Sequence, residues 1–252
     1  MPFAADIYYQ SYNEEAKTSL VLLHGAGGSH LSFPPQIRRV SDFRVYALDL
    51  PGHGKSGGEG ERSIFAYAAR VSDWMQTTGL AATVFVGHSM GSAIAQTLAL
   101  EIPERVLGLG LIGAGARLRV NPQLLEEIAA PETYQVALEK IVAWSFDATC
   151  LPSLRELAAR RMAETRPGVL LADFLACHAF DLTERISEIR CPTLVVCGAN
   201  DKMTPPRNAH FLAERIPSAH LEIVPEAGHM VMLEKPEAVA GALARFLAKI
   251  HA

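Results

Sequence analysis

Residues 84–92, Val-Phe-Val-Gly-His-Ser-Met-Gly-Ser, restrict the fold more than any other stretch of the chain. A buried-strand pattern runs straight into a helix-forming segment through Gly87-His88-Ser89-Met90-Gly91, a G-x-S-x-G turn. Such a turn forces its serine into a strained backbone conformation at the mouth of the helix, with the hydroxyl pointing away from the sheet. Only small residues fit beside it, and Gly87 and Gly91 supply that clearance. Ala93 and Ala95 keep the first helical turns slim enough to lie close against the sheet. The spacing alone also fits a serine that merely caps a helix. The strand before it and the helix after it favour the elbow.

The rest of the chain repeats this alternation. Residues 6–12 read as a short N-terminal strand or hairpin. Ser19-Leu-Val-Leu-Leu-His24 is an unbroken apolar run, which predicts a strand covered on both faces, and it ends in the glycine-rich loop His24-Gly-Ala-Gly-Gly28. Arg44–Asp49 repeats the pattern and leads into the turn-rich segment Leu50-Pro-Gly-His-Gly-Lys-Ser56. Ile64, Ala68, Val71 and Met75 recur at helical spacing, predicting a helix over 64–78 that ends at Gly79. The elbow strand at 83–88, a helix at 90–101 and an apolar run at 106–112 follow. This order implies right-handed crossovers, a mostly parallel sheet and the α/β class.

From Gly115 to about Leu182 there is no convincing strand, only helices broken at Pro122, Pro131, Pro152 and Pro167. An insertion between two parallel strands sits at their carboxyl edge, above the elbow. The expected organisation is therefore a core formed by 1–115 and 184–252, with a helical lid over 116–183. In the second core segment a strand over Pro192–Cys197 leads to Gly198-Ala-Asn-Asp201. A helix around 208–216 and a strand at 221–224 lead to Pro225-Glu-Ala-Gly-His229. A closing helix at 236–250 buries Val239, Leu243, Phe246 and Ile250.

An alcohol is a poor nucleophile at neutral pH, so Ser89 needs an imidazole to take its proton and an acid to orient that imidazole. His229 and Asp201 are the candidates. Both lie in short loops just after predicted strands, which in a parallel sheet places them on the same edge as Ser89. The duller readings are a turn or cap role for Asp201 before Pro205-Pro206, and a hydrogen-bonded loop histidine for His229. Asp173 and Asp181 are the substitutes if Asp201 is not the acid. His24 and His53 read as packing and hydrogen-bonding residues of their turns, and His88, which abuts the serine, receives no catalytic role. In the lid, Trp144, Phe146, Phe174 and His178 are candidate substrate contacts, with Phe180 beside them; each also fits the lid's own core. Arg117 and Arg119 read either as partners for a substrate carboxylate or as solvated surface arginines.

The motifs His24-Gly-Ala-Gly-Gly28, Asp49-Leu-Pro-Gly-His-Gly-Lys-Ser56, Gly87-His-Ser-Met-Gly91, Gly198-Ala-Asn-Asp201 and Gly228-His229 together resemble the α/β-hydrolase superfamily along nearly the whole chain, most weakly in the lid. The chain order Ser, Asp, His is the one that superfamily uses. Within it, the pattern is similar to single-domain esterases, enol-lactonases and meta-cleavage carbon–carbon hydrolases. The resemblance implies an oxyanion hole made from the backbone amides of Ala26 and Met90. A serine at the elbow excludes the haloalkane dehalogenases and epoxide hydrolases of this fold, which need a carboxylate there.

The expected function is a cofactor-free serine hydrolase of small to medium, mainly apolar carboxylic esters. Enol-lactone or carbon–carbon bond hydrolysis with the same side chains is the alternative, and a non-catalytic ligand receptor of the same fold is a second. A net charge of -4, with no basic run longer than Arg160-Arg161, argues against nucleic acid or an anionic membrane as partner. The N-terminal residues carry neither a charged n-region nor a long apolar h-region, and no stretch approaches the about 20 apolar residues of a membrane span, so a cytoplasmic protein is expected. The four cysteines, Cys150, Cys177, Cys191 and Cys197, contain no C-x-x-C pair and no zinc-binding spacing; they read as buried free thiols, with no metal implied. Oligomeric state is not legible.

Overall fold

The structure, a computed structural model, describes residues 2–250. Eight strands among them form one sheet: β1 (Phe3–Ala4), β2 (Ile7–Tyr12), β3 (Thr18–Leu23), β4 (Phe43–Leu48), β5 (Thr83–His88), β6 (Val106–Ile112), β7 (Thr193–Gly198) and β8 (Ala219–Val224), in the order β1-β2-β4-β3-β5-β6-β7-β8. β1, β2 and β4 pair antiparallel, and every other neighbour is parallel. The helices are α1 (Pro35–Arg38), α2 (Ile64–Thr77), α3 (Met90–Glu101), α4 (Pro122–Ala129), α5 (Tyr134–Ser145), α6 (Pro152–Ala163), α7 (Pro167–Ala179), α8 (Pro206–Arg215), α9 (Val231–Glu234) and α10 (Pro236–Ala248).

The unbroken apolar run of β3 has its reason in the layers. Val21 and Leu23 join one core with residues of α2, α3 and α8. Leu20 and Leu22 join another with residues of α1 and α10. With both faces covered, Leu20 to Leu23 are all apolar and polar residues are confined to the strand's start at Thr18 and Ser19, and each fully buried aliphatic side chain contributes about 1.5–3 kcal/mol.

Helix α3 lies against β3 and β5 with no room to spare. A Cβ on Gly91 would sit 2.0 Å from the Leu23 carbonyl oxygen, and one on Gly87 would sit 2.2 Å from the carbonyl oxygen of Gly91. Ala93 and Ala95 are fully buried in the same contact.

Helices α4 to α7 fill the chain between β6 and β7. Pro122, Pro152 and Pro167 each occupy the first turn of a helix, where the missing N–H costs nothing, whereas Pro131 lies in the turn between α4 and α5. These helices share a small core of their own around Leu124, Leu138, Ile141, Leu170 and Phe174. The excursion begins and ends at one place. Arg117 and Asp181 form an antiparallel bridge, and the Leu182 amide donates to the Ala116 carbonyl at 2.7 Å. That bridge is a piece of extended pairing where the sequence suggests only helix.

Elsewhere the boundaries shift slightly. β8 begins at Ala219 rather than Leu221, because it is an edge strand with exposed His220 interrupting the apolar pattern. α10 stops at Ala248, and Ile250 is half-buried beyond it. The four thiols are unpaired, with Cys177 and Cys197 buried and Cys150 and Cys191 only partly so. No helix of the described residues is long and apolar enough to cross a membrane.

Candidate active site

Ser89 stands between β5 and α3 with φ 51° and ψ -113°, a conformation that costs a non-glycine residue about 1–3 kcal/mol. The surrounding main chain imposes it. The Ser89 amide donates to the Ile112 carbonyl at 2.9 Å, and its own carbonyl accepts from the Ser92 amide at 2.9 Å and the Ser92 hydroxyl at 2.6 Å. Its side chain makes no capping hydrogen bond, so the reading of Ser89 as a helix cap does not describe this structure.

Asp201 follows β7 and His229 follows β8, at the carboxyl edge of the sheet where β5 delivers Ser89. His229 Nδ1 lies 2.8 Å from Asp201 Oδ2, with both residues buried. The Asp201 carboxylate is fully engaged. Its Oδ1 accepts from the Met203 and Thr204 amides at 2.9 and 2.8 Å, and its Oδ2 also accepts from the Thr204 hydroxyl at 2.8 Å. Burial alone would raise this carboxyl, but the His229 ring and the Thr204 donors outweigh burial and hold it below the ordinary range. An ionised Asp201 keeps the His229 proton on Nδ1 and leaves Nε2 as the acceptor. Asp201 is therefore both a turn former and the partner of a histidine. Asp181 instead pairs with Arg117 at 3.2 Å on the surface, and Asp173 is spent on other donors described below.

Two residues that sequence reasoning left out brace this pair. Thr204 Oγ1 lies 3.1 Å from His229 Nδ1 as well as on the carboxylate. Glu234 accepts from the Gly228 amide through Oε1 and from the Asp147 amide through Oε2, both at 2.8 Å, tying the loop before His229 to the end of α5. Gly228 carries no side chain because the chain at Phe146–Asp147 crosses it; a Cβ would meet the Asp147 nitrogen at 2.7 Å. His88, with no role expected, packs its ring on that of His229 with centroids 4.7 Å apart. Burial first, and His229 beside it second, push His88 down to about 3, so it is neutral.

The glycine-rich loop after β3 presents an amide to the same space. The Leu50 amide donates to His24 Nε2 at 3.0 Å, which puts the ring proton on Nδ1, and Nδ1–H donates to the Gly25 carbonyl at 2.8 Å. The Gly28 amide donates to that carbonyl too, at 3.0 Å. In a trans peptide the N–H points opposite to the C=O, so a Gly25 carbonyl pinned from behind turns the Ala26 N–H outward. Met90 N–H belongs to the first turn of α3, where helical amides lack intrahelical partners and favour negative charge. Among the described residues neither amide has a protein acceptor.

Ala26, Ser89 and His229 open onto one cavity of about 800 Å³, whose far wall comes from the insertion through Ile141, Phe146 and Phe174. Trp144 and His178 do not line it. On α5 the face toward the cavity is Ile141, Val142 and Ser145, and Trp144 lies off that face, 36% exposed. His178 turns to the Val120 carbonyl, 3.1 Å from its Nδ1. Aromatic identity suggested these two; helical phase decided against them.

Comparison with known proteins bears on the family and the fold. Residues 20–242 match the alpha/beta hydrolase family. A putative carbamate hydrolase, RutD, from Rhizobium rhizogenes is 31% identical over 92% of this chain and 93% of its own length. The 2-hydroxy-6-oxo-6-phenylhexa-2,4-dienoate hydrolase of Burkholderia cepacia is 29% identical over 91% of this chain and 87% of its own. Among solved structures, a thermophilic esterase superposes with a TM-score of 0.85 at 32% identity, covering 97% of this chain and 94% of the other. The enol-lactonase of Burkholderia xenovorans LB400 shares the fold, with a TM-score of 0.90 at 23% identity over 96% of each chain.

Proposed function

The chain belongs to the alpha/beta hydrolase family, and from that premise we infer that it is a serine hydrolase that cleaves small to medium, mainly apolar carboxylic esters through an acyl-enzyme on Ser89. The observation that carries this reading is the buried His229–Asp201 pair, 2.8 Å apart, whose histidine opens onto the same cavity as a serine held at φ 51°. Ser89 Oγ adds to the ester carbonyl carbon as His229 Nε2 takes its proton. The carbonyl oxygen becomes an oxyanion facing the Ala26 and Met90 amides, each donor worth about 10²–10³ in rate. Collapse expels the alcohol, which receives the proton from His229. A water deprotonated by the same nitrogen then releases the acid. No cofactor enters these steps. The insertion acts as the lid, and Ile141, Phe146 and Phe174 favour an apolar acyl or alcohol group beneath it.

One observation supports the second reading. Arg38, Lys55, Arg119, Arg161 and Arg207 line the cavity, with Arg117 already paired to Asp181, against the single lining carboxylate of Glu164, in a chain whose net charge is -4. Such a wall favours a substrate with a carboxylate beyond the scissile bond, as in the dienoate that names the Burkholderia cepacia relative. The same three side chains would then open an enol-lactone or a carbon–carbon bond.

Turnover of p-nitrophenyl esters and labelling by a serine-directed phosphonate, in wild type and Ser89→Ala, test the assignment. Loss of both in the folded variant is expected. Retained burst kinetics would overturn the nucleophile, and a wild type that does neither would revive a non-catalytic receptor.

A further inference from the structure

Helix α7 carries a carboxylate that the steps above do not use. Asp173 is wholly buried, and its partners all lie outside the insertion. Its Oδ2 accepts from the Gly27 amide and from His53 Nε2, both at 2.8 Å, and its Oδ1 accepts from the Tyr67 hydroxyl at 2.6 Å. Both ring nitrogens of His53 face acceptors, since Nδ1 lies 3.0 Å from the Pro51 carbonyl. Burial alone would lower His53, but the charge of Asp173 and its hydrogen bond outweigh burial and raise it. A buried carboxylate is tolerated only when donors surround it, and here one from each of three separate segments converges on α7.

The insertion also holds the carbonyl of the same residue, in the following peptide unit. Thr165, between α6 and α7, donates its hydroxyl to the Gly27 carbonyl at 3.1 Å. Gly27 has φ +64°, and a Cβ there would lie 2.7 Å from Leu170 Cδ1, so the loop is pressed directly onto α7. Gly27 follows Ala26. The peptide plane that carries the Ala26 N–H is pinned through the Gly25 carbonyl, and the next plane is pinned through the Gly27 N–H on Asp173. Ala26 is thereby fixed from both sides, one side by the core and the other by the insertion.

We propose that Asp173 is a positioning residue for oxyanion stabilisation: by holding the Gly27 amide, it makes the seating of helix α7 a condition for aiming the Ala26 N–H at the reacting carbonyl oxygen. This rests on the hydrolase reading given above. It makes the insertion part of the reaction machinery as well as a roof, because withdrawal of α7 releases one of the two planes that orient the donor.

The test compares wild type, Asp173→Asn and Asp173→Ala for kcat and KM on p-nitrophenyl butyrate, for the affinity of an aryl trifluoromethyl ketone, whose adduct with a serine is an oxyanion, and for melting temperature. Asp173→Ala is expected to lose about 10- to 100-fold in kcat with KM within about threefold, and ketone affinity should fall by a similar factor. Asp173→Asn, whose amide oxygen still accepts from Gly27 but without charge assistance, should fall between the two, about 3- to 10-fold below wild type in both readouts. A folded Asp173→Ala protein with wild-type kcat and ketone affinity overturns the proposal, as does a change confined to KM. Where Asp173→Ala does not fold, Asp173→Asn decides in the same way, and wild-type values for both readouts overturn it. A wild type that hydrolyses no ester and takes no phosphonate overturns the hydrolase reading and the proposal with it; an active wild type with indifferent variants overturns the proposal alone.

Discussion

His88 Nε2–H donates to the main-chain carbonyl of His229 at 3.1 Å, so the residue beside the elbow serine holds the backbone of the histidine that faces it. That hydrogen bond favours the charged ring, but burial first and the neighbouring His229 second outweigh it and push His88 down to about 3, so the ring is neutral. The unfolded chain titrates this residue near its ordinary 6.5. The folded value is thus the depressed one: stability is unaffected above about pH 6.5 and is lost as pH falls toward 3, by up to about 1.4 kcal/mol per pH unit from this side chain. Urea unfolding at pH 7, 5.5 and 4.5 should show a shallower acid slope in His88→Asn than in wild type. Equal slopes would mean that His88 is not held neutral.

Asp201→Asn keeps the shape of the turn but loses the charge that fixes the His229 proton on Nδ1. By analogy with a serine protease, kcat should fall about 10⁴-fold with KM little changed. Thr204→Val, which removes a single hydroxyl from Asp201 Oδ2, should cost no more than about tenfold in kcat. Steady-state kinetics on one p-nitrophenyl ester checks both, and near-normal Asp201→Asn turnover would require a different acid.

Gly91→Ala places a methyl 2.0 Å from the carbonyl oxygen of Leu23, a backbone atom of a central strand that cannot swing aside. A loss of about 1–3 kcal/mol or more is expected, or failure to fold. At Gly57 a Cβ meets nothing within 4 Å, so Gly57→Ala should stay within about 0.5 kcal/mol of wild type. Chemical denaturation of the pair checks the close approach of α3 and β3.

Arg119 and Arg207 are exposed on the cavity wall, and reversing them tests what that wall selects. For Arg119→Glu/Arg207→Glu, the ratio of kcat/KM for a mono-p-nitrophenyl adipate over p-nitrophenyl hexanoate should fall about tenfold at low salt. The difference should shrink as ionic strength rises. An unchanged ratio would leave the positive wall without a part in selection.

The sheet was legible because burial on both faces leaves the middles of β3, β5 and β7 (Leu20–Leu23, Val84–Val86 and Leu194–Val196) wholly apolar, and apolar runs survive any reading frame. β8, half-covered at the edge, is blurred for the same reason in reverse: exposed His220 and half-buried Glu222 interrupt the apolar pattern, which becomes readable only from Leu221. Ser89, Asp201 and His229 could be named from short-range signals, glycines and strand ends, that each site carries within a few residues. Asp173, Thr165 and Glu234 could not. Their roles are contacts across long sequence separations, such as Asp173 with Gly27, and nothing adjacent to Asp173 in the chain announces a partner in the loop after β3. Trp144 failed by angle. An aromatic residue beside the true cavity face of α5 is indistinguishable from one on it until the phase of the helix is known.

The paired ends of the insertion, Arg117 opposite Asp181 with Leu182 bonded to Ala116, form a seam at which this segment can be exchanged for that of a relative without altering the crossover from β6 to β7. A chimera joined there would preserve the sheet yet sever the donors that meet on α7. A transplanted segment should therefore bring its own acceptor for the Gly27 amide, and recombination libraries cut at this seam should recover activity chiefly from donors that do.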